Sequence, residues 1–187
     1  MKKKIITLAG KPGSGKSSAA KGIAKALGYE RTSVGDFMRE LAQQRGVSIT
    51  ELNVMAVTDE SIDKELDAAN IALNDRSELV VDGRLSYHFV PDSFKVFLDL
   101  DLSISAERIF NDQTADRHAS GEVVASAKEL QQLLEKRLSA ERIRYKEWYN
   151  VETADLSAFD LLIDTSKYPL DTVVDIIVTD YKKWLAD

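Results

Sequence analysis

The sequence predicts an α/β fold in which a parallel sheet is covered by helices on both sides. Short apolar segments, rich in β-branched residues, alternate along the chain with longer segments of helical periodicity. Each predicted strand is apolar on both faces, which is typical of a parallel sheet buried between helical layers. The five predicted strands are residues 4–9, 31–34, 78–82, 94–99 and 159–164.

Helical periodicity predicts the elements that separate these strands. Gly28 and Gly46 directly follow two of the helical segments and are suited to helix ends. The third helical segment is predicted to break near Thr58 and Asp59. The predicted helices are residues 17–27, 35–45, 50–74, 103–110, 128–149 and 170–185.

The chain has no internal repeat, low-complexity tract or linker. Its 187 residues are enough for one domain with a substantial core, so we expect a single domain over residues 1–187. Two segments depart from the simple alternation of strands and helices. Residues 46–75 form a predicted helical excursion within a helical region that spans residues 35–75, and residues 111–126 are polar and without a clear period, which predicts a loop.

The composition excludes several classes of function. The formal net charge is −6, which argues against a nucleic-acid coat or a polybasic membrane anchor. The chain has no cysteine, so disulfides, thiolate metal sites and cysteine nucleophiles are excluded. A glycine loop interrupts the first apolar stretch, so we expect neither a signal peptide nor a membrane span, and a cytoplasmic protein.

The stretch GKPGSGKS, residues 10–17, carries the strongest chemical signal. It lies between a predicted strand and a predicted helix and matches the pattern G-x-x-x-x-G-K-[ST]. Its glycines allow backbone N–H groups to approach an anion at the positive end of the helix dipole. Lys16 is suited to the β- and γ-phosphates and Ser17 to Mg²⁺. A plain glycine-rich turn would not require Lys-Ser here, so the stretch predicts a nucleoside triphosphate site.

Asp82 and Arg84 lie at the end of the predicted strand 78–82. A carboxylate at this place helps to hold Mg²⁺ beside the loop serine in such folds, and a strand-end Asp that caps a turn is the structural alternative. Arg84 is predicted to point into the crevice at the carboxyl ends of the strands, where open α/β sheets bind ligands. Its planar guanidinium suits a phosphate group.

Asp36 and Arg39 are three residues apart and share a face of the predicted helix 35–45. An acceptor for a base amino group beside a phosphate-binding cation suits a nucleotide. A local ion pair is the alternative, and the spacing alone does not decide between them.

A second charged cluster lies on the predicted helix 128–149. At 100° per residue, Arg137, Glu141 and Arg144 fall within about 60° of one another. Inward-facing charges need partners, and a bound polyphosphate would supply one, whereas a solvated helix face is the alternative. The cluster continues an apolar stripe, predicted to face the protein body, that consists of Leu130, Leu133, Leu134 and Trp148.

These stretches resemble the cytidylate kinases, most closely their compact archaeal-type members, over nearly the whole chain. The resemblance is carried by the glycine loop and by residues 33–41, 80–84, 137–149 and 159–177. It implies a P-loop NTPase fold with an adenylate-kinase-like core and a five-stranded sheet. It also implies transfer of the γ-phosphoryl group of ATP to CMP or dCMP, with Mg²⁺.

The resemblance implies roles for individual residues as well. The ATP-binding residues would be Gly10, Lys11, Pro12, Gly13, Ser14, Gly15, Lys16, Ser17 and Ser18. The catalytic cations would be Lys16, Arg84, Arg137 and Arg144, and the metal would lie at Ser17 and Asp82. The acceptor would be bound by Asp36, Arg39, Arg84, Glu141 and Arg144, with Asp36 and Glu141 as readers of the cytosine edge. Residues 35–75 would form the acceptor-binding helical region.

The chain departs from the family pattern at a few positions. Asp82 stands where close relatives often carry Glu, and residues 149–152 replace a more usual Tyr-Gly-Ile-Asp. Residues 111–126 are predicted to be the lid that excludes water from the site. Relatives carry basic residues at the start of this segment, whereas the remaining nearby cations here are Arg108, Arg117 and His118.

Two other functions are compatible with the same residues. One is a kinase for another nucleoside monophosphate, such as UMP or AMP, or for another small molecule. The other is a non-catalytic nucleotide-binding protein. His88 is interpreted as a structural residue rather than a catalytic one, and we expect a monomer that binds neither nucleic acid nor membrane.

Overall fold

The protein is built around a five-stranded parallel sheet, described by a computed structural model that covers residues 2–47, 51–52, 55, 59–112 and 124–187. The spatial order of the strands is β2-β3-β1-β4-β5. Every neighbouring pair is parallel, which confirms the predicted α/β fold. The strands are β1 Ile5–Gly10, β2 Glu30–Ser33, β3 Leu79–Asp82, β4 Phe94–Asp99 and β5 Leu161–Asp164.

The long helices that connect the strands lie close to the predicted residue ranges. A short helix directly after β3 was not predicted, because four residues are too few to show a helical period. The helices are α1 Lys16–Leu27, α2 Val34–Arg45, α3 Glu60–Ala72, α4 Ser86–Phe89, α5 Leu102–Asn111, α6 Ala127–Tyr149 and α7 Leu170–Ala186, and a 3₁₀ turn spans Leu73–Asp75.

The predicted break in the third helical segment agrees with the start of α3. Asp59 caps this helix, because its side chain accepts a hydrogen bond of 3.0 Å from the Ser61 amide. Residues 48–50, 53–54 and 56–58 lie outside the described part of the chain. The predicted loop 111–126 lies mostly outside it as well: Asn111 ends α5, and the Ser126 hydroxyl caps α6 at the Glu129 amide.

The main core lies between the sheet and the layer formed by α1 and α7. Its largest buried side chains include Ile23, Ile177 and Tyr181, packed on strand residues such as Leu8 and Leu98. A smaller cluster on the opposite face is formed by Ile5, Leu73, Leu79, Val81 and Val90. Both faces of the sheet therefore bury apolar residues.

The prediction that helices bury both faces of every strand is wrong for the two edge strands. In β2 only Ser33 is buried, and Leu162 in β5 has a relative exposure of 51%. An edge strand has a neighbour on one side only, so helices cover it less completely than the central strands. No helix in the described residues is long and apolar enough to cross a membrane.

The parallel arrangement brings the carboxyl ends of the strands to one edge of the sheet. Asp82 of β3 is in register with Leu8 of β1 and with Ser33 of β2, and Gly10 is in register with Leu98. The glycine loop, Asp82 and the residues after them therefore share this edge, where open α/β sheets bind their ligands.

Candidate active site

The glycine loop lies directly on the end of β4. Gly10 has a φ of 146°, and a Cβ atom at this position would lie 2.3 Å from the Leu98 carbonyl oxygen. The Lys11 amide donates to the same oxygen at 3.2 Å. Only a residue without a side chain allows this approach, so the first glycine of the loop is required by packing as well as by the turn.

Helix α5 holds the middle of the loop. The buried Ser105 hydroxyl donates to the Pro12 carbonyl at 2.6 Å. Sequence reasoning missed Ser105, because its contact with the loop joins residues 93 positions apart. The loop is therefore fixed by a neighbouring helix and not by its glycines alone.

Lys16 is folded over the loop at the start of α1. Its Nζ donates to the carbonyls of Gly10 at 2.9 Å and Lys11 at 3.0 Å. Burial lowers its pKa from 10.5 to about 8, and the positive charges of Arg84 and Arg137 act in the same direction, whereas Asp82 opposes them. The ammonium thus lies in an environment that favours an added negative charge.

Arg84, like Lys16, is a cation whose pKa is lowered by its surroundings. Burial lowers its pKa from 12.5 to about 10, and the nearby charges of Arg137 and Arg144 add to the effect. The predicted catalytic cations are thus connected by repulsion between like charges: Arg84 and Arg137 act on Lys16, and Arg137 and Arg144 act on Arg84. An anion between them would relieve both the repulsion and the cost of burial.

Ser17 and Asp82 meet across the carboxyl edge of the sheet, as the sequence predicted. The Ser17 hydroxyl donates to Oδ2 of Asp82 at 2.5 Å. This pair brings two hard oxygen atoms together next to Lys16, and such oxygens are the ligands that Mg²⁺ prefers. The residues therefore fit a magnesium ion whose other ligands would come from phosphates and water.

Arg31 of β2 was missed as a site residue. Its guanidinium lies 3.3 Å from Oδ2 of Asp36 and 3.6 Å from Oδ2 of Asp82. The sequence showed Arg31 only as part of a short strand, and nothing in its local pattern indicated contacts with two carboxylates. Arg31 links the predicted acceptor residue Asp36 to the predicted metal residue Asp82.

Asp36 and Arg39 form the local ion pair that the spacing allowed. Arg39 donates to Oδ1 of Asp36, and Arg31 contacts the other oxygen. The side chain of Arg39 remains 59% exposed. In this arrangement the two residues bind each other, and an arriving phosphate would compete for the exposed guanidinium of Arg39.

Glu141 lies between two arginines on the inner side of α6. Its carboxylate contacts Nη1 of Arg84 and accepts a hydrogen bond of 3.2 Å from Nε of Arg137. The side chain of Glu141 is 17% exposed and that of Arg137 is 53% exposed. The inward orientation predicted for this cluster is confirmed for Glu141, while Arg137 lies at the rim.

The apolar stripe that accompanies this cluster is only partly buried. Leu130 and Leu134 pack against Ala106 of α5, but Leu133 and Trp148 are 37% and 40% exposed. The prediction that the whole stripe faces the protein is therefore wrong for these two residues. Helix α6 packs on α5 at its beginning and on α4 near its end, so no single stripe faces inward along its length.

The end of α6 meets α3 in a polar contact that sequence reasoning also missed. The Tyr149 hydroxyl donates to Asp67 at distances of 2.9 and 3.2 Å to the two carboxylate oxygens. Asp63, one turn earlier on α3, is buried, and burial raises its pKa above the usual value, with the charge of Asp67 adding to this rise and the charge of Arg144 opposing it. The rings of His88 and Phe89 pack on Tyr149, which supports the structural interpretation of His88.

A cavity of about 370 Å³ opens between the glycine loop and α6. Its lining includes Gly10, Lys11, Arg84, Glu141 and Tyr145. This volume falls within the range of small-molecule sites. Of the predicted acceptor residues, Arg84 and Glu141 thus share a cavity with the glycine loop, whereas Asp36, Arg39 and Arg144 do not line it.

Only the residues at the two ends of the predicted lid belong to the described part of the chain. Arg108 donates to the Thr165 carbonyl at 3.0 Å, so this cation is tied to the loop after β5. Arg117 and His118 lie outside the described residues.

Comparison with known proteins identifies the family. Residues 6–129 match the AAA domain family. A cytidylate kinase from Natronomonas pharaonis is 34% identical over 98% of this chain and 92% of its own length. One from Methanocella arvoryzae is 36% identical over 92% of this chain and 94% of its own. The chain belongs to the cytidylate kinase family. The resemblance described from residues 33–41, 80–84 and 137–149 is confirmed.

Solved structures support the fold of this cytidylate kinase family member. The shikimate kinase from Bacteroides thetaiotaomicron superimposes with a TM-score of 0.68 over 95% of this chain and 98% of its own, at 13% identity. The shikimate kinase from Aquifex aeolicus gives a TM-score of 0.59 over 97% and 98%, at 18% identity. At these identities the likeness concerns the fold alone, and the adenylate-kinase-like P-loop fold is confirmed.

Proposed function

We propose that this protein transfers the γ-phosphoryl group of ATP to CMP or dCMP, giving ADP and CDP or dCDP. The observation that carries the proposal is the set of partly buried cations at the carboxyl edge of the sheet, where Lys16 lies over the glycine loop at 2.9 and 3.0 Å from its carbonyls and Arg84 contacts Glu141. A phosphoryl group between two nucleotides needs such cations, because negative charge is spread over its oxygens during transfer.

The donor end of the site is the glycine loop with the start of α1. The amides of residues 10–18 and the Lys16 ammonium would hold the phosphates of ATP. Ser17 and Asp82 would hold Mg²⁺, which would neutralise negative charge on the phosphates. The hydrogen bond between Ser17 and Asp82 supports this assignment, because it already places both oxygens together.

The acceptor end would be built by Asp36, Arg39, Arg84, Glu141 and Arg144. Arg39 and Arg84 come from different elements, α2 and the turn after β3, and both would bind the acceptor phosphate. Arg84 would be released from Glu141 as that phosphate arrives, since a doubly charged phosphate is the stronger partner. Glu141 would then be free to accept hydrogen bonds from the nucleoside.

Two more roles belong to this proposal. Arg137, at the rim of α6, would contact the transferring group from the solvent side. Residues 111–126 would close over the phosphates as a lid, which protects the phosphoryl group from water.

The proposal is tested by ADP release with ATP and Mg²⁺, adding CMP, dCMP, UMP, AMP or GMP one at a time. We expect release that depends on CMP or dCMP. Arg84→Ala and Lys16→Ala should each lower turnover by about a hundredfold or more, with unchanged circular dichroism. Lys25→Ala, which removes an exposed lysine of the same helix, is the matched control and should retain full activity.

Each other outcome contradicts the proposal in a recognisable way. Preference for UMP or AMP would identify a different nucleoside monophosphate kinase. ATP binding without release for any acceptor would indicate a nucleotide-binding protein that does not transfer phosphate. Full activity of Arg84→Ala would exclude the role assigned to that arginine.

A further inference from the structure

Arg31 lies between two carboxylates that belong to different ends of the candidate site. Strand β2 pairs with β3 so that Arg31 is in register with Val80, and Asp82 lies two positions further along β3 on the same face. Asp36 lies in the first turn of α2, which begins directly after β2. The strand and the helix that follows it therefore place one guanidinium within reach of both carboxylates.

The contacts of Arg31 satisfy neither carboxylate completely. Its Nη1 donates to Oδ2 of Asp36 at 3.3 Å, whereas its Nη2 lies 3.6 Å from Oδ2 of Asp82, which is too far for a hydrogen bond. Its Nε is buried and has no hydrogen-bond partner among the described residues. A bidentate contact with one carboxylate would use two of these nitrogens, so the guanidinium is held between two partners and is not locked on one.

Asp82 is the carboxylate whose surroundings a metal ion would change. Its side chain is 7% exposed, and Oδ2, the oxygen that faces Arg31, also accepts a hydrogen bond from the Ser17 hydroxyl. Without a metal, Arg31 provides positive charge beside this buried carboxylate. A divalent cation held by Ser17 and Asp82 would replace that charge and repel the guanidinium, since like charges interact strongly where water is scarce.

Asp36, the other partner of Arg31, is shared between two arginines. Arg39 donates to its Oδ1 and Arg31 to its Oδ2. The side chains of Asp36 and Arg39 are 40% and 59% exposed, so their ion pair contributes little free energy. If the guanidinium of Arg31 moves toward Asp36, it repels Arg39 and favours the release of Arg39 from the carboxylate.

We propose that Arg31 is a positioning residue that couples the metal site to the acceptor site. This inference rests on the proposed function, which assigns Mg²⁺ to Ser17 and Asp82 and the acceptor phosphate to Arg39. Without Mg²⁺, Arg31 is shared with Asp82, and Asp36 retains Arg39. With Mg²⁺, Arg31 pairs with Asp36, and Arg39 is available to the acceptor phosphate. Binding of the donor with its metal therefore increases the affinity for the acceptor.

The test is the dissociation constant of CMP in the presence of a non-hydrolysable ATP analogue, measured by isothermal titration calorimetry once with Mg²⁺ and once with EDTA. The ratio of the constant with EDTA to the constant with Mg²⁺ is the coupling factor, and we expect about fivefold or more in the wild type. Mg²⁺ also attracts the acceptor phosphate directly, so part of the coupling should remain in Arg31→Gln. The factor in this variant should be smaller by about threefold or more.

Arg76→Gln is the matched control. Arg76 pairs with Glu30, the residue next to Arg31 in β2, and both members of that pair are exposed. This variant also loses an arginine and an ion pair at the same strand, and it should keep the coupling factor of the wild type. Arg31→Lys retains the positive charge, but one ammonium group cannot contact the two carboxylates through separate nitrogens of a planar fork. Its coupling factor should therefore also be smaller than that of the wild type.

Melting temperatures give a second readout that does not depend on CMP. Arg31→Gln leaves the buried carboxylate of Asp82 without its ion-pair partner, so this variant should melt below the wild type when nucleotide and Mg²⁺ are absent. The ATP analogue with Mg²⁺ should then raise the melting temperature of Arg31→Gln more than that of the wild type, because the metal supplies the missing charge. Equal rises would show that Arg31 does not act on the metal site and would overturn the inference.

The outcomes distinguish this inference from the proposed function. If CMP does not bind to the wild type with the ATP analogue and Mg²⁺, the proposed function fails, and this inference fails with it. If CMP binds and is phosphorylated, but Arg31→Gln keeps the coupling factor of the wild type, this inference fails alone. A decrease of the same size in Arg76→Gln would assign the effect to the overall charge near β2 and would exclude the role of Arg31.

Discussion

At the scale of single residues, the site is defined by cations that repel one another. The positive charge of Arg84 disfavours the charge of Lys16, and burial lowers the pKa of both groups. The protein keeps this unfavourable arrangement although single substitutions could relieve it. A local cost in folding free energy of this kind is expected at a site that binds a highly charged anion.

The depressed pKa of Lys16 makes a prediction about stability. Below pH 8 the folded and unfolded forms both carry the proton, so the cost of burying the charge is fully present. Between pH 8 and 10.5 the folded form releases the proton first, so stability due to this group rises with pH. Between pH 7 and pH 10, the free energy of unfolding of the wild type should rise by on the order of 2 kcal/mol relative to that of Lys16→Met.

Urea unfolding at a series of pH values measures this difference. Lys25→Met, which removes an exposed lysine from the same helix, controls for the loss of a lysine. Parallel pH profiles of the wild type and Lys16→Met would show that Lys16 is not destabilised by its surroundings.

At the scale of elements, the junction between β3 and α4 determines where Arg84 points. A Cβ atom on Gly83 would lie 2.2 Å from the Ser86 hydroxyl and 2.5 Å from a Val34 methyl group. The turn is therefore clamped between α2 and α4, and Arg84 follows directly after it. Close packing of this kind transmits any change in the turn to the arginine.

Gly83→Ala should accordingly destabilise the protein by about 1–3 kcal/mol through overpacking, and it should also lower turnover by displacing Arg84. Gly35→Ala is the matched control, since the nearest atom to its added Cβ is 3.4 Å away. In the first turn of α2 this substitution should be neutral or slightly stabilising. Equal unfolding free energies in urea for the two variants would contradict the clamp.

At the scale of the whole molecule, the two tryptophans report on different parts of the fold. Trp148 lies on the surface of α6, whereas Trp184 on α7 packs against Phe94 and Tyr181 in the main core. If residues 1–187 form a single domain, as the sequence predicts, both regions unfold together.

Single-tryptophan variants test this expectation. Trp184→Phe leaves Trp148 as the probe, and Trp148→Phe leaves Trp184. In each variant, the midpoint of urea unfolding by tryptophan fluorescence should coincide with the midpoint by circular dichroism. An earlier fluorescence transition of Trp148 alone would show that α6 belongs to a separately unfolding unit.

Much of the molecule could be predicted from the sequence. The strands, the long helices, the glycine loop and the pairing of Ser17 with Asp82 depend on apolar periodicity and on residues close in sequence to the strand ends. These signals are local, or follow from the rule that parallel strands end at one edge. Family membership could also be inferred from the sequence, because the motifs that indicate it are short stretches of consecutive residues.

Other features were decided only by the tertiary structure. The contacts of Ser105 with the glycine loop, of Glu141 with Arg84 and of Tyr149 with Asp67 each join residues more than 50 positions apart. The buried Oδ2 of Asp63 is of the same kind: it has no hydrogen-bond partner among the described residues, and this depends on elements that are distant along the chain. The sequence by itself determined which elements form and what chemistry their ends carry, since both arise from neighbours along the chain. Packing determined which charges meet and which remain without a partner, since those depend on how distant elements come together in space.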